Sequence, residues 1–121
     1  DSVGQNWGEA VAREILFPSI SRTVMDDDTY RGFEKLLADR RSIIQIVEYM
    51  KTLDVRELLS AIECPTLVIH FSGDLAVPLR MGRYLADHIP NAEFLEIAGV
   101  DHCDLGNAPE AIDRIRSFVS N

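Results

Sequence analysis

The sequence predicts an α/β fold in two parts: an all-helical segment over residues 1–53, and a segment over residues 54–121 built on two parallel strands. Three observations carry this. Through the first half, apolar residues recur at three- and four-residue intervals without strand-type alternation. After Pro65, the run Thr66-Leu67-Val68-Ile69-His70-Phe71 is nearly continuous in β-prone apolar residues, as in a strand buried on both faces of a parallel sheet. Helix, strand and helix patterns then follow in turn, the order a parallel α/β sheet needs.

Taken in order, helices are expected at about 7–17, 28–38, 42–52 and 55–61. Pro18 closes the first. Asp26, Asp27 and Asp28 supply caps and negative charge at the start of the second, whose residues Tyr30, Phe33, Leu36 and Leu37 make one apolar face. Ser42 and Gln45 have capping-box spacing, and the helix they open is apolar on more than one face, so it should be covered. Asp54 and Glu57 repeat that signature before a short helix. Beyond the strand at 66–71, a helix over about 79–89 should bury Gly82, Leu85, Ala86 and Ile89, and Pro90 stops it. A second strand at about 93–97 follows, then a helix with Pro109 in its first turn and a buried stripe of Ile112, Ile115, Phe118 and Val119.

The composition of these 121 residues, 46% hydrophobic and 26% charged, is that of a folded globular chain. A net charge of -8 argues against nucleic acid and against anionic membrane surfaces, since both are bound through Lys and Arg. No stretch has the length of a membrane span, and the opening Asp1-Ser2-Val3-Gly4 lacks the basic and apolar regions of a signal peptide, so a cytoplasmic location is expected. Cys64 and Cys103 form no CxxC pair and read as free thiols. Neither a metal nor a cofactor is expected.

Chemistry is expected where the loops after the two strands leave the same carboxyl rim of the sheet. Those loops are Ser72 through Pro78 and Ala98 through Cys103. Adjacent strands lie about 4.8 Å apart, so Asp74 and His102 should come within hydrogen-bonding reach. An acid that holds an imidazole in one tautomer is the supporting pair of a nucleophilic triad, and acid before His is the chain order of enzymes whose nucleophile comes first. His70 reads as a satisfied core residue, and His88, near a helix C-terminus, as a solvated one. Asp101 suits shaping its loop better than orienting the ring beside it.

Pro65 through His70, Gly73-Asp74, Val77-Pro78, Gly99-Val100-Asp101-His102 and the segment from Asn107 to Val119 together resemble the end of an α/β-hydrolase, over roughly residues 54–121. The resemblance implies a partial α/β-hydrolase core, its last two parallel strands with flanking helices, preceded by a helical lid. It implies that Asp74, four residues before Pro78, is the triad acid and that His102 is the triad base. Asn6-Trp7-Gly8, Phe17-Pro18-Ser19 and Asp54 through Leu59 resemble the lid of a subgroup often fused to class III adenylyl cyclase or transcription-regulator domains, which implies such a fused domain in the parent protein. Trp7, Phe17, Tyr49 and Met50 are the candidates for lining a pocket for a small apolar ester-like substrate or ligand, against a competing role in core packing.

The sequence contains no G-x-S-x-G; the nearest spacing, Gly4-Gln5-Asn6-Trp7-Gly8, carries Asn at the nucleophile's place and opens a helix. Cys103 is poorly placed to substitute, because neighbouring residues rarely orient toward each other for proton transfer. The expectation is a fragment of an ester- or amide-cleaving hydrolase that supplies acid and His, lacks the nucleophile and is inactive alone. A non-catalytic ligand-sensing or interaction module is the alternative. The edge of the 66–71 strand, left unpaired, should favour self-association.

Overall fold

The computed structural model describes residues 2–20 and 25–120, which fall into two compact units, Asp1–Asp54 and Val55–Asn121. The first contains α1 (Ser2–Gln5), α2 (Val11–Leu16), α3 (Asp27–Leu37) and α4 (Arg40–Met50). The second begins with a 3-10 helix at Arg56–Ala61 and continues with β1 (Thr66–Phe71), α5 (Leu79–His88) and β2 (Ala92–Ile97). A 3-10 turn at Leu105–Asn107 and α6 (Pro109–Val119) complete it. None of the helices among the described residues is long and apolar enough to cross a membrane.

The helical unit is organised around a carboxylate. Glu34 of α3 is fully buried, and its two oxygens accept the backbone N–H groups of Gly8 (2.7 Å), Ala10 (3.1 Å) and Ala12 (2.6 Å). Trp7 donates its indole N–H to the carbonyls of Glu34 and Ala38, at 3.1 and 2.8 Å. This anchoring divides the single helix expected at 7–17. Residues 6–10 form turns, with Gly8 at φ 91° and Ala10 at φ 62°, and only Val11–Leu16 is helical. Three N–H groups directed at one carboxylate cannot also lie along one helix axis, so the side chain overrides the helical periodicity of that stretch.

The same carboxylate turns α3. Its inward stripe is Tyr30 and Glu34, spaced one helical turn apart, while Phe33, Leu36 and Leu37 are 48, 88 and 60% exposed rather than forming a buried face. Asp26 caps α3 by accepting the Thr29 N–H at 2.8 Å. The cap of α4 is Asp39, which accepts from the N–H groups of Arg41 and Ser42, and the Ser42 hydroxyl donates to it as well. Ser42 thus sits inside α4 instead of starting it, because a carboxylate two or three residues upstream already satisfies the free N–H groups. The helix expected to need cover has no buried residue, and Ile46, Tyr49 and Met50 point outward. At 55–61 the expected α-helix is a 3-10 turn, with no side-chain cap bond from Val55.

In the second unit, β1 and β2 pair in parallel with their ends level, Thr66 beside Ala92 and Phe71 beside Ile97. α5 forms the connection and packs on both strands; α6 packs on β1. The core is Phe71, Ile97, Ala108 and Ala111, with Ile69, Leu95 and Leu105 against it. α6 therefore buries Ala111 on its inner side, while Val119 is 73% exposed. Pro109 opens that helix, where its missing N–H removes no helical bond.

Candidate active site

The level ends of β1 and β2 decide the site. Pairing runs on past the strands, with the Ser72 N–H donating to the Ile97 carbonyl and the Gly73 N–H to the Gly99 carbonyl, both at 2.8 Å. A Cβ on Gly73 would stand 2.9 Å from the Gly99 oxygen, so only a residue without a side chain lets the two loops run this close. The next residue of the first loop is Asp74. The second loop, after Gly99 and Val100, brings His102 across to it.

His102 Nδ1 lies 2.8 Å from Asp74 Oδ2. A carboxylate only accepts, so Nδ1 carries the proton and Nε2 presents a lone pair. The Asp74 side chain is 1% exposed, against 37% for His102, so the acid is enclosed while the imidazole remains reachable. The other oxygen, Oδ1, accepts from the N–H groups of Ala76 (2.8 Å) and Val77 (2.9 Å), a turn that fixes the carboxylate plane. Burial alone would raise the Asp74 pKa. The Val77 N–H, the His102 imidazole and the Ala76 N–H outweigh it and hold the carboxyl below its ordinary value, so it is ionised at neutral pH.

An ionised acid, an imidazole in one tautomer and an accessible basic nitrogen can together accept a proton, stabilise the resulting imidazolium and return the proton to a leaving group. Asp101 is buried in the same loop. Cys103 follows His102, and its thiol is pushed up from the ordinary value by burial of the sulphur and by the carboxylates of Asp104, Asp74 and Asp101. A thiol held protonated in this way is a poor nucleophile.

Among Trp7, Phe17, Tyr49 and Met50, only Phe17 lines the apolar cavity of about 290 Å³ in the helical unit, together with Ile20, Met25, Thr29, Tyr30 and Phe33. The Trp7 indole is engaged by the α3 carbonyls, and Tyr49 and Met50 are 64 and 62% exposed. His88 donates from Nδ1 to the Tyr84 carbonyl at 2.8 Å and stacks on the Tyr84 ring. His70 was not read from the sequence as part of the site, yet its Nε2 stands 3.5 Å from Asp74 Oδ2. Its place in β1, four residues before Asp74, is the signal that could have found it.

No protein-family model matches the chain. It is 38% identical over 52 residues to "Putative non-heme bromoperoxidase BpoC" of Mycobacterium tuberculosis, a match covering 43% of this chain and 20% of that protein. It is 31% identical over 83 residues to "Putative carbamate hydrolase RutD" of Pseudomonas syringae pv. syringae, covering 68% of this chain and 32% of that protein. These matches span about a third or less of the curated relatives' lengths. Among solved structures, a hydrolase from Oleispira antarctica superposes over 95% of this chain and 44% of its own, with a TM-score of 0.69 at 22% identity. Two parallel strands with flanking helices, superposing on that hydrolase, make this fold a partial α/β-hydrolase core.

Proposed function

We propose that the chain supplies the acid, Asp74, and the base, His102, of a nucleophile-His-acid triad that cleaves esters or amides. The observation that carries this is the 2.8 Å contact between an enclosed, ionised carboxylate and Nδ1 of an accessible imidazole. In this reading His102 Nε2 takes the nucleophile's proton as the nucleophile attacks an acyl carbonyl. The imidazolium, stabilised by Asp74, then protonates the leaving alcohol or amine, and water activated by the same nitrogen releases the acid. The name of one relative, a carbamate hydrolase, points the same way, toward a small acyl substrate.

The nucleophile belongs to sequence outside these 121 residues, residues 1–53 serve as the lid segment of the complete hydrolase, and the chain alone is inactive. The setting is cytoplasmic. No specific observation favours a sensing module or a fused cyclase or regulator domain.

The test is nitrophenyl-ester turnover by this chain and by the same chain extended with the residues its gene encodes before Asp1. Activity is expected only in the extended protein, with His102→Ala lowering kcat by about 10⁶-fold and Asp74→Asn by about 10⁴-fold, as removal of the base and of the acid does in other triads. Turnover by the present chain that disappears in His102→Ala would overturn the inactivity. An extended protein whose turnover ignores both substitutions would overturn the triad.

A further inference from the structure

His70 is the penultimate residue of β1, its side chain 9% exposed, and its Nε2 lies 2.8 Å from the Val77 carbonyl and 3.5 Å from Asp74 Oδ2. A carbonyl only accepts, so Nε2 carries the proton, and the same N–H faces the carboxylate oxygen that receives His102. Two imidazoles thus converge on one oxygen in opposite tautomers, His102 protonated at Nδ1 and His70 at Nε2. The other side of the His70 ring is closed by α5. A Cβ on Gly82 would stand 2.5 Å from Nδ1 and 2.9 Å from Cγ, so helix backbone lies where any larger residue would displace the ring.

Every tie on Asp74 then has an owner. Oδ1 is held by its own turn through Ala76 and Val77, Oδ2 faces His102 and His70, and the carbonyl of Val77, the residue completing that turn, is held by His70. We propose that His70 is a positioning residue for the acid of the site, fixing the Asp74 turn through the Val77 carbonyl and thereby selecting the His102 tautomer that leaves Nε2 basic. The Nε2–H of a core imidazole needs one acceptor, and the Val77 carbonyl suffices. The added placement against Oδ2, with α5 shaped to hold the ring there, is what a purely packing role leaves unexplained.

This proposal rests on the acid-base reading of Asp74 and His102, and its test separates the two. Nitrogen-15 NMR of the present chain, at a pH where both imidazoles are neutral, reports which ring nitrogen of each His is protonated. Native protein should show His102 as a single Nδ1–H tautomer and His70 as Nε2–H. A native His102 protonated at Nε2 would sink the acid-base reading itself before any variant is compared.

The variants then address His70. Both are polar and of similar size: the amide of His70→Gln reaches as far as Nε2 and can donate to the Val77 carbonyl, whereas His70→Asn is one carbon too short. We expect Gln to retain the single His102 tautomer and Asn to move His102 to a mixture, with the Nε2 resonance shifting from its pyridine-like position toward the average of the two forms. If both folded variants keep the native His102 spectrum, or both lose it equally, His70 has no positioning role. Should His70→Asn fail to fold, Gly82→Ala, which pushes on the ring from the α5 side, takes its place with the same expected mixture, and an unchanged His102 spectrum overturns the proposal.

Discussion

Replacing Glu34 should dismantle the helical unit. The carboxylate is fully buried and is the acceptor for three backbone N–H groups, those of Gly8, Ala10 and Ala12. Glu34→Ala leaves all three donors without it in an enclosed site, and at about 1–3 kcal/mol for each unsatisfied donor the loss is roughly 3–9 kcal/mol. A small unit has on the order of 5–15 kcal/mol of stability in total, so the Ala variant should be largely unfolded there. Glu34→Gln is milder. Oε2 receives Gly8 and Ala10, a role the amide oxygen can keep, while the amide nitrogen would face the Ala12 N–H; one lost charge-assisted bond is worth about 1.5–3 kcal/mol. The assay is urea unfolding followed by tryptophan fluorescence. Trp7 is the sole tryptophan of the chain and bonds to the carbonyls of Glu34 and Ala38, so its emission reports this unit specifically. The expected order of midpoints is native, Gln, Ala. A Glu34→Ala protein whose Trp7 transition lies within about 1 kcal/mol of native would refute the reasoning, since three abandoned donors cost at least about 3 kcal/mol.

Three further outcomes follow from the second unit. Asp74 has a folded pKa below its unfolded value near 3.8, so the unfolded state takes up the proton first as the pH falls; the stability it contributes is full above that value and is lost as the pH passes down through the folded one. Chemical denaturation at a series of acidic pH values should show this slope flattened in Asp74→Asn, and equal slopes would contradict it. Cys103, studied in a Cys64→Ser background, should be alkylated with a pH midpoint above the ordinary 9.0, and Asp104→Asn should lower that midpoint; a midpoint at or below the ordinary value would be the contrary result. Among the described residues β1 pairs on one side only, so light scattering should show self-association that grows with concentration, and a monomer at high concentration would count against an open strand edge.

The β-containing half was the more legible in the sequence. Thr66 to Phe71 announces itself as a parallel strand, although only His70 and Phe71 of it are buried, and once two such strands are neighbours, the loops carrying Asp74 and His102 must leave the same rim. The helical half was less legible because its organising contact is non-local. Glu34 sits among Phe33, Leu36 and Leu37 in a helix whose apolar periodicity makes a Glu look solvent-facing. Its partners are backbone N–H groups 22 to 26 residues away, which no spacing rule marks. The break at residues 6–10 and the outward turn of the α3 apolar residues both follow from that contact. Capping was read correctly at Asp26, where the acid immediately precedes the helix. It was misplaced at Ser42, because Asp39 starts the helix three residues earlier and takes the N–H groups of Arg41 and Ser42. His70 was passed over as a site residue because its spacing to Asp74 gains meaning only once the turn beyond the strand brings that carboxylate back toward the ring.

The level pairing of Phe71 with Ile97 carries a consequence for how this architecture tolerates change. Sliding one strand a single step along the other would displace the loop beyond it by about 3.3 Å and turn its inward side chains to the opposite face. The acid and the imidazole, now 2.8 Å apart, would no longer touch. Insertions or deletions should therefore be accepted in the helical connection that leaves both strands in place, and rejected inside the strands even where the substituted residues are equally apolar.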